Sequence, residues 1–288
     1  MHHPGTHPEL ARWVAGLVAR LRGELEARLG LELPSPLHVH LAPTDRHFEE
    51  TVRALAGGRS PPAWAQAVAI PRAPALVIRL RGLQPAGSGS LATVLGHELA
   101  HAALWAVGPE LPRWFEEGIA QWAAGERLEP LVRNRLAGMA RGGTLPALQE
   151  LERDFPPHAP EAQLAYQVAL AFVDWLAERG GPERLRAVLG RAAAGAPFAR
   201  AFEEVFGAPP RGYELVFREQ LAAGFRWWVE LARLEAVLAL AALLAIAAFV
   251  RHRRRRRRLL AQMEQAERPP VQGGPAAREE QPQSPCPR

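Results

Sequence analysis

The sequence predicts an α+β domain over residues 1–225. A juxtamembrane linker (226–233), a transmembrane helix (234–250) and a basic, disordered tail (251–288) follow it. Three observations carry this expectation. Strand-like stretches fall within the first 80 residues and helical periodicity fills residues 90–223, the order of an α+β fold. Hydrophobic residues make up 48 % and charged residues 23 % of the 288, an ordinary globular composition that excludes a wholly disordered or fibrous chain. Ala236 to Val250 is free of charge and runs straight into an arginine block.

Charge narrows the function classes. The net +5 is an average over two unlike parts: residues 251–288 hold ten Arg against four Glu, which leaves residues 1–250 at −1. A neutral body without a basic face argues against general nucleic-acid binding. Cys286 is the one cysteine, so an intramolecular disulfide is impossible and cysteine cannot be the main metal ligand. All 35 basic residues are arginine, a bias that a hot habitat or a GC-rich genome would each produce.

The elements follow in order. Residues 9–30 place Leu10, Trp13, Val14, Leu17, Val18, Leu21, Leu25 and Leu29 at helical spacing, closed by Gly30. Arg12, Arg20 and Arg22 interrupt any run long enough for a signal peptide. His2, His3 and His7 lie in an unpatterned terminus. Leu37–Leu41 alternates as a strand, with His38 and His40 on one exposed face. Ala67–Ile70 and Ala75–Leu80 give two further strands around a Pro-rich turn, and residues 82–89 form a GSGS loop without the lysine of a phosphate-binding loop. Ser90 caps a helix from Leu91 to Val107, stopped by Gly108-Pro109, and Pro112 opens the next, 112–124. Further helices are expected at 128–140, 161–179, 182–193, 198–206 and 211–223.

The chemistry concentrates in His97-Glu98-Leu99-Ala100-His101. Positions i and i+4 share a helix face, so both imidazoles can reach one ion while Glu98 flanks the open side. Zinc so held keeps a position for water and lowers its pKa, and the glutamate can take that water's proton and pass it to the leaving amine. A third histidine six residues beyond His101 is absent, since Val107 stands there. A carboxylate from the 112–124 helix can complete the set instead.

These residues carry a resemblance. Thr93 to His101, followed by LPRWFEEGIAQW, resembles the gluzincin zinc metallopeptidases, and more narrowly the bacterial peptidase MA-like family, whose motif runs Pro-x-Trp-x-x-Glu-Gly-x-Ala-Glu-aromatic. It covers about residues 34–222 and implies a zincin-like domain. It also implies Glu117, directly before Gly118, as the third ligand beside His97 and His101, with Gly118 letting the two ligand helices approach closely. Glu116, about 100° round the helix, is then free for substrate or solvent. Gln121 stands where the family pattern has an acidic residue; its carbonyl can still accept an imidazole N–H and orient a ligand histidine. Tyr166 matches the tyrosine that several gluzincins place opposite the metal, implying a donor to the oxyanion. Trp105, Trp114 and Trp122 are expected in the core.

At the C-terminus, Leu234 to Val250 makes about 25 Å of helix, which Arg233 or Arg251 can extend by snorkelling, with Trp227 and Trp228 at the interface. The arginines put the tail in the cytoplasm and the peptidase domain outside. Since the first helix begins almost at Met1, a start upstream is expected. The reading is a single-pass, zinc-dependent metallopeptidase of the cell membrane. Its partners are a peptide or protein substrate and the lipid bilayer, with no specific nucleic acid. One rival is a non-enzymatic, membrane-anchored interaction domain on the same scaffold. A second is a nucleic-acid-binding protein with an accidental HExxH.

Overall fold

A computed structural model describes residues 8–61, 65–83, 90–108, 111–156, 158–226 and 241–256. The chain divides into two units, Met1–Arg226 and Trp227–Arg288. The first runs α1 (Pro8–Leu29), β1 (His38–Ala42), α2 (Asp45–Leu55), β2 (Ala67–Ile70), β3 (Ala75–Arg79), α3 (Leu91–Leu104) and α4 (Arg113–Ala123). It continues through α5 (Pro130–Arg141), a 3₁₀ turn (Leu148–Leu151), α6 (Ala159–Gly180), α7 (Pro182–Ala193), α8 (Phe198–Phe206) and α9 (Pro210–Ala223). Strands precede most of the helices, as the sequence predicts.

The Ala-Leu-Val-Ile run of β3 is buried on both faces, and the reason is its central place in a sheet ordered β1-β3-β2. β1 pairs parallel to β3, Val39 opposite Leu76; β2 pairs antiparallel, Val68 opposite Val77. Parallel neighbours need a crossover, and α2 lies within it. The sequence reading left this helix out. Thr44 caps it by accepting a hydrogen bond from the His47 N–H (3.2 Å), and Phe48 and Val52 bury against Ala42, Ile70 and Val77. The opposite sheet face, with Val39, Leu41, Leu76 and Ile78, joins the main core under α1, α3, α4 and α6.

Ser90 caps α3, accepting from the Thr93 N–H at 3.2 Å. The helix ends at Leu104, three residues before the predicted Val107. Ala106, Val107 and Gly108 donate to the carbonyls three residues back, a tightened last turn. The approach that Gly118 permits is also not the expected one. A Cβ there would lie 2.6 Å from Ala169 O and from Val173 Cγ2, so Gly118 seats α4 on α6, not on α3. The α3–α4 contact instead runs through Gly96, where an added Cβ would meet Ala124 at 3.4 Å.

In the second unit, residues 241–256 are helical, with Leu243, Leu244, Ile246 and Phe249 exposed. Among the described residues no helix is long and apolar enough to cross a membrane. The first part of the predicted span, 234–240, and most of the linker and of the tail lie outside the described residues.

Candidate metal centre

α3 brings His97 and His101 to one face with ring centroids 4.8 Å apart and planes at 69°. Their Nε2 atoms are 3.1 Å apart. From α4, Glu117 Oε2 lies 3.3 Å from each. Among the described residues these three form a group able to hold a metal ion. Glu117 is 1 % exposed, and among the described residues its Oε2, though faced by the two imidazoles, has no hydrogen-bond partner of adequate geometry. A buried carboxylate oxygen without a donor is costly unless a cation takes the place. Ligands about 2.0–2.1 Å from a tetrahedral zinc have edges of about 3.3 Å. The triangle of donor atoms fits that size without rearrangement.

The remaining polar groups surround this triangle. His97 Nδ1 faces Glu126 Oε1 and His101 Nδ1 faces Glu116 Oε1, each at 3.3 Å. Arg113 sends Nη2 to Glu117 Oε1 (2.5 Å) and Nη1 to Glu116 Oε2 (3.0 Å). The Tyr166 hydroxyl donates to Glu117 Oε1 at 3.4 Å and its ring meets Phe155 edge-on. Glu98 is buried, and the Ala69 N–H of β2 donates to its carboxylate.

Electrostatics follow from this packing. Burial disfavours charge on both imidazoles, but the carboxylates outweigh it. Glu117 and Glu126 push His97 up to about 10, and Glu117 and Glu116 push His101 up to about 9. Burial opposes ionisation of Glu117, yet His101, His97 and Arg113 hold it well below the carboxylate range. Glu98 moves the other way: burial raises it, with the two histidines opposing. Burial and then the Glu117 charge raise the Tyr166 phenol, which stays a donor at neutral pH.

The centre lies on a cleft of about 1160 Å³, walled by Ala67, Val68 and Ala69 of β2 and reached by Glu98 and Tyr166. Trp114 and Trp122 are core, as expected, whereas Trp105 is part-exposed and lines the cleft. Two expectations need correction. Glu116 is not free, because the turn of α4 that carries it passes His101. Gln121 does not face an imidazole; its Nε2 donates to the carbonyls of Glu117 (3.2 Å) and Tyr166 (3.1 Å). Arg113 and Glu126 escaped the sequence reading. Arg113 sits four residues before Glu117, a helical ion-pair spacing that would have flagged it; no local signal points to Glu126. His38 is exposed, and neither it nor His40 belongs to the cluster, while His2, His3 and His7 lie outside the described residues.

A family model described as the Peptidase MA superfamily matches residues 24–223. No curated protein shows a significant match to the chain.

Proposed function

Since the chain belongs to the Peptidase MA superfamily, a gluzincin-like group, we propose that it is a membrane-anchored, zinc-dependent metallopeptidase that hydrolyses peptide bonds. The observation that carries this reading is the convergence of His97 Nε2, His101 Nε2 and the donorless Glu117 Oε2 at a cleft containing Glu98. His97, His101 and Glu117 would hold zinc. When bound, zinc supplies Lewis-acid polarisation and an acidified water.

The protein's own groups do the rest. Glu98 accepts the proton of the attacking water and returns it to the leaving amine; a carboxyl raised by burial suits both tasks. Tyr166 stays protonated and turns its hydroxyl from Glu117 Oε1 toward the oxyanion as charge develops. β2 is paired on one side by β3, and its residues wall the cleft, so an extended peptide can add along it through main-chain hydrogen bonds. This favours a peptide or protein substrate over a compact small molecule.

Anchoring is supported by the exposed apolar helix of residues 241–250 and the arginines that follow. Positive-inside bias puts the tail in the cytoplasm and the catalytic domain outside. Zinc content and hydrolysis of a mixed peptide library test the whole reading. Wild type is expected to carry about one zinc and to cleave; His97→Ala, His101→Ala and Glu117→Ala should each lose the metal. Zinc without turnover would leave the non-enzymatic scaffold as the answer, and full occupancy in all three variants would remove the centre.

A further inference from the structure

We propose that Glu126 and Glu116 are the positioning residues of the metal centre, fixing His97 and His101 through Nδ1, and that Gln121 has no such role. The proposal rests on the metal centre read above. An ionised carboxylate only accepts hydrogen bonds. With Glu126 Oε1 and Glu116 Oε1 each 3.3 Å from an Nδ1, the proton of each neutral ring belongs on Nδ1 and the lone pair on Nε2. Both lone pairs then point toward Glu117 Oε2, the arrangement a cation needs.

The backbone explains how Glu126 arrives there. α4 ends in a Schellman turn: the Gly125 N–H donates to Trp122 O (3.1 Å) and the Glu126 N–H to Gln121 O (3.0 Å). Gly125 has φ +79°, which a side chain would strain. The turn sends the chain back past Ala124, which touches Gly96, the neighbour of His97. Glu126 is thereby delivered to a ring on another helix. Gln121 is turned elsewhere: its Nε2 donates to the carbonyls of Glu117 and, on α6, Tyr166, and among the described residues both imidazole Nδ1 atoms face the two glutamates instead.

Glu116 is held from behind. Arg113 grips its Oε2 and, with the other nitrogen, Oε1 of Glu117. One guanidinium thus ties the partner of His101 to the third donor and leaves Glu117 Oε2 facing the imidazoles.

Chelator-competition titration of zinc on the full chain, with the visible spectrum of the cobalt(II)-loaded protein, tests the assignment. Glu126→Gln and Glu116→Gln preserve shape and remove charge; each is expected to weaken zinc about 10- to 100-fold and to alter the cobalt bands. Gly125→Ala should act in the same direction by moving Glu126, whereas Gln121→Leu should leave affinity and spectrum unchanged. If His97→Ala and Glu117→Ala release zinc while Glu126→Gln and Glu116→Gln match wild type in both readouts, the positioning roles are wrong and the centre stands. If His97→Ala and Glu117→Ala also match wild type, the centre itself is gone. Loss of affinity in Gln121→Leu with none in Glu126→Gln would return the role to Gln121.

Discussion

The Glu98 carboxylate accepts from the Ala69 N–H and feels the charge of the two imidazoles, so an amide in its place keeps the shape and removes the proton carrier. Glu98→Gln is therefore expected to bind zinc like wild type and to hydrolyse peptide about a hundred- to ten-thousand-fold more slowly; metal stoichiometry beside turnover measures it, and unimpaired turnover refutes the role. The metal-free histidines set a pH dependence. His97 and His101 are raised from 6.5 to about 10 and about 9. A raised pKa stabilises the metal-free fold fully below 6.5, and that contribution is lost as pH climbs through 9 to 10. Zinc must displace both protons, so its apparent affinity should rise with pH, by up to about a hundredfold per unit between 7 and 9, where both rings are protonated. Melting curves in chelator and zinc titrations at several pH values read the two halves; a metal-free protein more stable at pH 10 than at pH 6 contradicts the sign. What was legible at this scale was what one helix determines. The i, i+4 spacing of His97 and His101 is local, and Glu117 came with the motif. Glu126 reaches His97 through a turn and a contact between helices, which no spacing encodes, and Gln121 was assigned by motif position while its actual partners are carbonyls of α4 and α6.

Helix α4 carries its donor into place by lying closely on α6, and Gly118 is where the two touch. An alanine Cβ there would sit 2.6 Å from the Ala169 carbonyl oxygen, a backbone atom that cannot swing aside. Gly118→Ala should cost about 1–3 kcal/mol by overpacking and also disturb Glu117, its neighbour. Chemical denaturation of the metal-free protein measures the first effect and zinc titration the second; a variant as stable as wild type would show that α6 yields easily. The motif identified this glycine, yet its partner was misread, because a missing side chain does not say which neighbour fills the space. α2 teaches the converse. Thr44 followed by Phe48, Val52 and Leu55 has both a cap and a buried stripe, a local signal that was present and passed over. The end of α3 was unreadable for a different reason: residues 105–107 are apolar enough to continue a helix, and the tightened turn before Gly108 is a choice of hydrogen bonds.

At the scale of the whole chain, two parts differ in physics. Residues 1–226 contain the sheet, the helical core and the centre. The remainder holds the exposed apolar helix of 241–250 and, with 11 Arg against 6 Glu, the net positive charge of the chain. Deleting residues 227–288 should leave zinc affinity and cleavage of short soluble peptides unchanged while abolishing association with vesicles. The cause of that association can be resolved by salt. Arginines alone would bind anionic vesicles through an attraction largely screened at about 0.5 M salt, where the Debye length is only a few ångström. An inserted apolar segment is indifferent to ionic strength and to headgroup charge. The full chain, reconstituted with vesicles, is expected to float with neutral and anionic lipid alike and to remain bound at about 0.5 M salt. Flotation that needs anionic lipid and vanishes in salt would reduce the segment to a surface contact made by Arg251 and the arginines after it. The catalytic reading would survive that result, because its donors all lie before residue 227.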